Sequence, residues 1–202
     1  MNKYLKAPKL LLLAIMLAPQ LLMAQKIKVV SGDVAAFKNI DTFNTVFTYN
    51  NLKVGKEGDE KNYIDRKKAD YNKKEAGKGD AWEKAWKEDR SSRYEPKFNE
   101  LFSKTSEHAA GDFKTARYTL LVNTTFIEPG FNVGIHRERA RVDTEITLVE
   151  TANPTKELVK FTVDDTPGGD VFGFDYDSGV RISEAYALTG KALAKYISKK
   201  IN

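Results

Sequence analysis

The chain has 202 residues, with 33 lysines and arginines against 28 aspartates and glutamates, a formal net charge of +5, and no cysteine. Three of the lysines (Lys3, Lys6 and Lys9) and no acidic residue fall within residues 1–24, so residues 25–202 carry 30 basic against 28 acidic groups, a net of +2. So small an excess gives no support to a nucleic-acid binder, and the lack of cysteine excludes disulfides, thiol catalysis and a lipid anchor on a processed cysteine.

The three lysines precede an unbroken apolar run from Leu10 to Leu17, then Pro19, then a small residue, Ala24, ahead of Gln25. That order reads as a secretory signal peptide over residues 1–24, which places the mature chain in the periplasm or outside the cell. The apolar run is too short to span a bilayer core of ~30 Å, and no later segment is apolar enough, so no membrane span is expected in the mature chain. The 178 residues that follow suffice for one soluble domain, which would bury roughly 70% of its unfolded surface.

Residues 25–55 read as strands. Ile27, Val29 and Val30 open the stretch, Thr45–Tyr49 is β-branched and aromatic, and Asn50-Asn51 interrupts it before Leu52 and Val54. Residues 56–107 form a charged helical segment, with 14 basic residues against 13 acidic ones and therefore a solvated face rather than a single-sign patch. Tyr63, Ile64 and Tyr71 share one helical face. Gly77 and Gly79 close the first helix, and Asp80 with Glu83 resembles a capping box for the second. Pro96 is expected to break or restart the helix.

From Tyr118 a three-stranded meander follows. Tyr118, Leu120, Val122, Thr124 and Phe126 alternate on one face. After a Pro129-Gly130 turn, Ala140 to Leu148 alternate with outward Arg141, Asp143 and Glu145. Asn153-Pro154-Thr155 turns the chain again, and Val159, Phe161 and Val163 line the next strand. A last helix carries Ile182, Tyr186, Leu193 and Ile197 on one stripe, with Gly190 either admitting the sheet or weakening the helix. The fold class is α+β: one antiparallel or mixed sheet with helices packed on one face.

The stretch Tyr49–Gly55, with Tyr71–Glu75, Gly79-Asp80, Trp82 and Arg93–Phe98, resembles a family of uncharacterised secreted proteins from Bacteroidetes. The segment from Tyr118 to Ile201 is more remotely similar to the α/β domain shared by the TolB amino-terminal region and the curli-secretion lipoprotein. That resemblance implies a role in envelope assembly rather than catalysis.

Chemistry is sparse. The acidic, glycine-rich loop 164–179 holds Asp164, Asp165, Asp170, Asp175 and Asp177, oxygen donors of the kind Ca²⁺ takes. It lacks an EF-hand's spacing, and Asp177 or Ser178 is as well suited to cap the last helix. His136 is a candidate general base with Glu138 or Asp143 as partner, but no nucleophile elbow, zinc motif or nucleotide loop accompanies it, and His108 lies far away in sequence. Trp82 and Trp86, four apart on a helix, are candidates for stacking on a sugar or peptide, although that spacing is more typical of core. No cofactor is expected. These features favour a non-enzymatic binding or assembly module whose partner is an envelope protein or a glycan, over a metal-dependent hydrolase built from loop 164–179 and His136. Nothing in the sequence specifies an oligomeric state.

Overall fold

The computed structural model describes residues 25–106, 108–133, 136–169 and 177–201, except for the side chains of Asn132, Val133 and His136. The leader read over residues 1–24 lies outside them. The strands are β1 (Lys26–Gly32), β2 (Thr42–Thr48), β3 (Lys53–Val54), β4 (Gly58–Asp59), β5 (Ala109–Gly111), β6 (Tyr118–Glu128), β7 (Phe131–Val133), β8 (His136–Glu138), β9 (Arg141–Glu150) and β10 (Asn153–Pro167). The helices are α1 (Glu60–Lys74), α2 (Lys78–Asp89), α3 (Glu95–Ser106) and α4 (Ser178–Ile201).

The fold is α+β, and its sheet is mixed. The main order is β1-β10-β9-β6-β2-β5, with β3 continuing beside the far end of β6 and β4 paired to β3. β1, β10, β9 and β6 are antiparallel neighbours, whereas β2 runs parallel to both β6 and β5. The parallel pairs follow from connectivity. The helices α1, α2 and α3 lie between β4 and β5 as a crossover, and a crossover returns the chain in the same direction, where a tight turn would reverse it.

The alternation in β6, β9 and β10 buries Leu120, Val122, Val142, Ile146, Leu148, Val159, Phe161 and Val163 completely, against Ile182, Tyr186, Leu193 and Ile197 of α4. Phe126 departs from the expected pattern. A bulge after Thr124 shifts the β6–β9 register, so Ile127 takes the buried place and Phe126 pairs with Asp143 on the outward side, under the Arg141 guanidinium at 5.5 Å. The turn expected at 153–155 lies instead at Thr151-Ala152, because Asn153 already pairs with Glu150 in β10.

Pro96 restarts the helix rather than ending it, as the second residue of α3. The five residues Arg90–Tyr94 form a π turn in which Glu95 N–H donates to the Arg90 carbonyl. The chain therefore enters α3 in a widened turn that tolerates the missing proline N–H. Asp80 and Glu83 do not cap α2. Gly77 precedes the helix in the left-handed region, with φ at 83° and no side-chain cap. Both carboxylates instead hold Lys68 of α1, at 2.7 and 3.0 Å.

Gly190 serves helix–helix contact rather than helix–sheet contact: a β-carbon there would collide with the backbone carbonyl oxygen of Phe98 in α3. Gly190→Ala should lower the unfolding free energy in urea despite a helix-propensity gain of about 1 kcal/mol, because overpacking against backbone costs roughly 1–3 kcal/mol.

Candidate ligand-binding cleft

Sequence-predicted candidates first take ordinary structural places. Trp86 is buried and its indole N–H donates to Glu60 Oε1 at 2.6 Å. Trp82 is half-buried between the Tyr71 and Trp86 rings, with centroids at 5.9 and 5.8 Å and near-parallel planes. The two tryptophans are thus the core of the α1–α2 hairpin. Asp177 caps α4, accepting from Gly179 N–H at 2.9 Å, and pairs with Arg93 of the π turn at 2.7 Å. Asp165 pairs with Lys26 and Arg141, at 3.1 and 3.3 Å, and its N–H donates to Asp143 Oδ1. Asp164 accepts from Thr162 at 3.5 Å. Asp170 and Asp175 lie outside the described residues, as does the side chain of His136, whose backbone begins β8. The His108 ring packs edge-on to Phe43. Among the described residues no group of three or more His, Cys, Asp or Glu side chains is placed to hold a metal ion.

A cleft forms elsewhere, where the end of the sheet meets α1. It has a volume of about 460 Å³, within the size range of small-ligand pockets. One wall is α1, which presents Tyr63, Arg66 and Lys67. The other is the end of β6 and the β7–β8 hairpin, with Glu128, Phe131 and Glu138. The turn Gly55–Glu57 makes the floor.

Each part has a local cause. Gly55 adopts φ of 50°, and a β-carbon on it would lie 3.3 Å from Glu128 Oε2 and 3.7 Å from Glu57 Oε2, so both carboxylates close over its backbone. Glu57 is held by Arg66 Nε at 2.6 Å, and Arg66 also reaches Asp70 at 3.3 Å. Its guanidinium lies 5.6 Å from the Tyr63 ring centre. Glu128 Oε1 accepts the Gly130 N–H at 3.1 Å. The Pro129-Gly130 turn is tied to α4 by the buried guanidinium of Arg181, which donates to the Pro129 carbonyl at 3.1 Å and the Gly130 carbonyl at 3.3 Å.

Burial raises the Glu128 carboxyl above the ordinary carboxylate range against the pull of the Gly130 N–H, and the neighbouring Glu138 adds to the rise. Burial lowers the Lys67 ammonium, and the positive charge of Arg66 adds to that. Tyr63 is held protonated by its burial. The cleft therefore combines a tyrosine ring and cationic side chains on the α1 wall with carboxylates on the opposite wall.

Of these side chains the sequence marked only Glu138, as a partner for His136, and Tyr63, as part of a helical face, and neither as part of a cleft. Gly55 and Pro129-Gly130 were legible as chain reversals, yet nothing in the spacing of Glu57, Arg66 and Glu128 brings them together.

No family model matches the chain, and no curated protein does. Among solved structures the chain is similar to the PelC dodecamer from Paraburkholderia phytofirmans, at 11% identity and a TM-score of 0.38, covering 80% of this chain and 96% of that one. A single-substitution variant of the same dodecamer matches at 11% identity and 0.38, over 81% and 96%. Likeness at this level carries no functional argument.

Two outcomes test the cleft's architecture. Arg181→Met should cost about 2–3 kcal/mol in urea unfolding, since it leaves two buried carbonyls without a charged donor. Glu128 has a raised folded value, so its stabilising contribution is present below the unfolded carboxyl range and is lost as pH rises through that folded value. Glu128→Gln keeps an acceptor for Gly130 and removes that loss. It should match the parent protein near pH 4 and exceed it in unfolding free energy at pH 7.

Proposed function

We propose that this protein is a non-enzymatic binding module of the bacterial envelope, exported through its first 24 residues, with the α1/β7–β8 cleft as its ligand site. The observation that carries the reading is the cleft itself. It is concave, with the Tyr63 ring and cationic side chains on one wall, carboxylates on the other, and the exposed ring of Phe131 at its edge. Six of its eleven lining residues are charged, so a ligand would be oriented by charged groups converging on one concave surface. The same surface suits an envelope glycan or the short peptides attached to it. The resemblance to secreted Bacteroidetes proteins agrees with that location.

The outer face of the sheet offers less. Many of its side chains are engaged with one another: Lys160 pairs with Glu145 at 2.8 Å, Thr48 donates to Asn123 at 2.9 Å, and Asn44, Thr119 and Thr151 form a hydrogen-bonded row.

Soluble muropeptides titrated into isotope-labelled protein should move the amide signals of Gly55, Tyr63, Gly130 and Phe131. Phe131→Ala, at an exposed position, should weaken the response about tenfold, corresponding to about 1.4 kcal/mol, without changing the melting temperature. Signal changes confined to the outer sheet face, or none at all, would reject the cleft. A mature amino terminus at Gln25, read by mass spectrometry from envelope fractions, tests the export step separately.

A further inference from the structure

The two walls of the cleft carry opposite charge, and one group on each is left with unused bonding capacity. On the α1 wall, Arg66 is engaged by Glu57 and Asp70. Lys67 is different: among the described residues its ammonium makes no ion pair or hydrogen bond. It rests on ring faces instead, 5.4 Å from the centre of Tyr71, 5.9 Å from Trp82 and 6.0 Å from Tyr63. Rings hold a cation by their π faces and leave its three N–H donors without an acceptor from the described residues of the protein.

On the opposite wall, Glu128 Oε1 accepts one backbone N–H, and Oε2 faces the bare backbone of Gly55. No cation pairs with Glu128 among the described residues. Glu57 does not share this state, because Arg66 neutralises it. Lys67 and Glu128 are thus both half-buried and both line the same 460 Å³, one with an ammonium held only by ring faces and the other with a carboxylate oxygen that accepts no hydrogen bond among the described residues.

Taking the cleft as the ligand site, we propose that its ligand is a small zwitterion, whose ammonium binds Glu128 and whose carboxylate binds Lys67. A ligand with only one charge would pair with one wall and face like charge on the other. A neutral saccharide would hydrogen-bond both groups through its hydroxyls but leave both half-buried charges without a countercharge. Free amino acids and the ends of short envelope peptides share this chemistry and differ in the spacing of their two charges.

The test uses the mature chain and titrations followed by NMR. Alanine, diaminopimelate and trialanine are each compared with their N-acetylated and C-amidated forms, with chitobiose as the neutral saccharide. At least one zwitterion should shift the cleft signals, and blocking either terminus should weaken it tenfold or more. Glu128→Gln should abolish the penalty of acetylation alone, and Lys67→Gln the penalty of amidation alone. Lys67→Arg, which retains the charge, should keep the amidation penalty. Thermal melts verify that each variant is folded.

Equal binding of chitobiose or of the singly charged forms overturns the proposal. So does a cleft that responds to muropeptides but to none of the zwitterions, and in both cases the cleft survives as a ligand site. A protein whose cleft responds to neither set overturns both readings.

Discussion

Backbone of α4 meets backbone of α3 at Gly190, where any side chain would strike the Phe98 carbonyl. The closeness of that contact sets how the two helices sit over the sheet. With α4 seated, its apolar stripe covers the inner faces of β9 and β10. Tyr186 stacks on Tyr94 at 5.0 Å and hydrogen-bonds Thr124 at 2.5 Å. Arg181, one turn from the start of the same helix, reaches the Pro129-Gly130 turn. The position of Glu128, and hence one wall of the cleft, is inherited from the packing of α4.

The opposite wall has a separate origin. The α1–α2 hairpin buries little against the sheet and is held by its own ring stack of Tyr63, Tyr71, Trp82 and Trp86, together with the Lys68 clamp and the Glu60 carboxylate shared by Trp86 and Arg90. This explains why a segment so rich in charge stays ordered. Exposed ion pairs contribute little individually, and the aromatic area supplies what they do not. Lys87 and Lys68 bonds bring the Glu83 carboxyl down to about 2, a sign of how densely this surface is paired. Within such a network, an ammonium seated only on rings is conspicuous.

Acidic residues illustrate how poorly composition marks a site. Of the aspartates that look like metal ligands in the sequence, Asp165 serves as a strand-end ion pair and Asp177 as a helix cap. The carboxylates that share a concave surface, Glu57 and Glu128, lie 71 positions apart in the numbering and belong to no motif. Local hydrogen-bonding roles absorb a polar residue near a chain end or turn before it is free for a ligand.

Periodicity alone was sufficient for the helices, for the wet and dry faces of β9, and for the apolar stripe of α4, because these depend on which side of one element meets water. It placed Phe126 wrongly, since one inserted residue in β6 reverses the phase and leaves no mark in the composition. Strand direction was equally hidden. β2 and β6 look alike whether parallel or antiparallel, and only the return path of three helices decides. The cleft lies furthest from the sequence: its walls come from α1 and from the β6–β7 turn, which approach each other only after the sheet is covered. Elements are encoded by neighbours three or four residues away, whereas a site made of their ends depends on packing distances fixed by contacts such as Gly190 with Phe98.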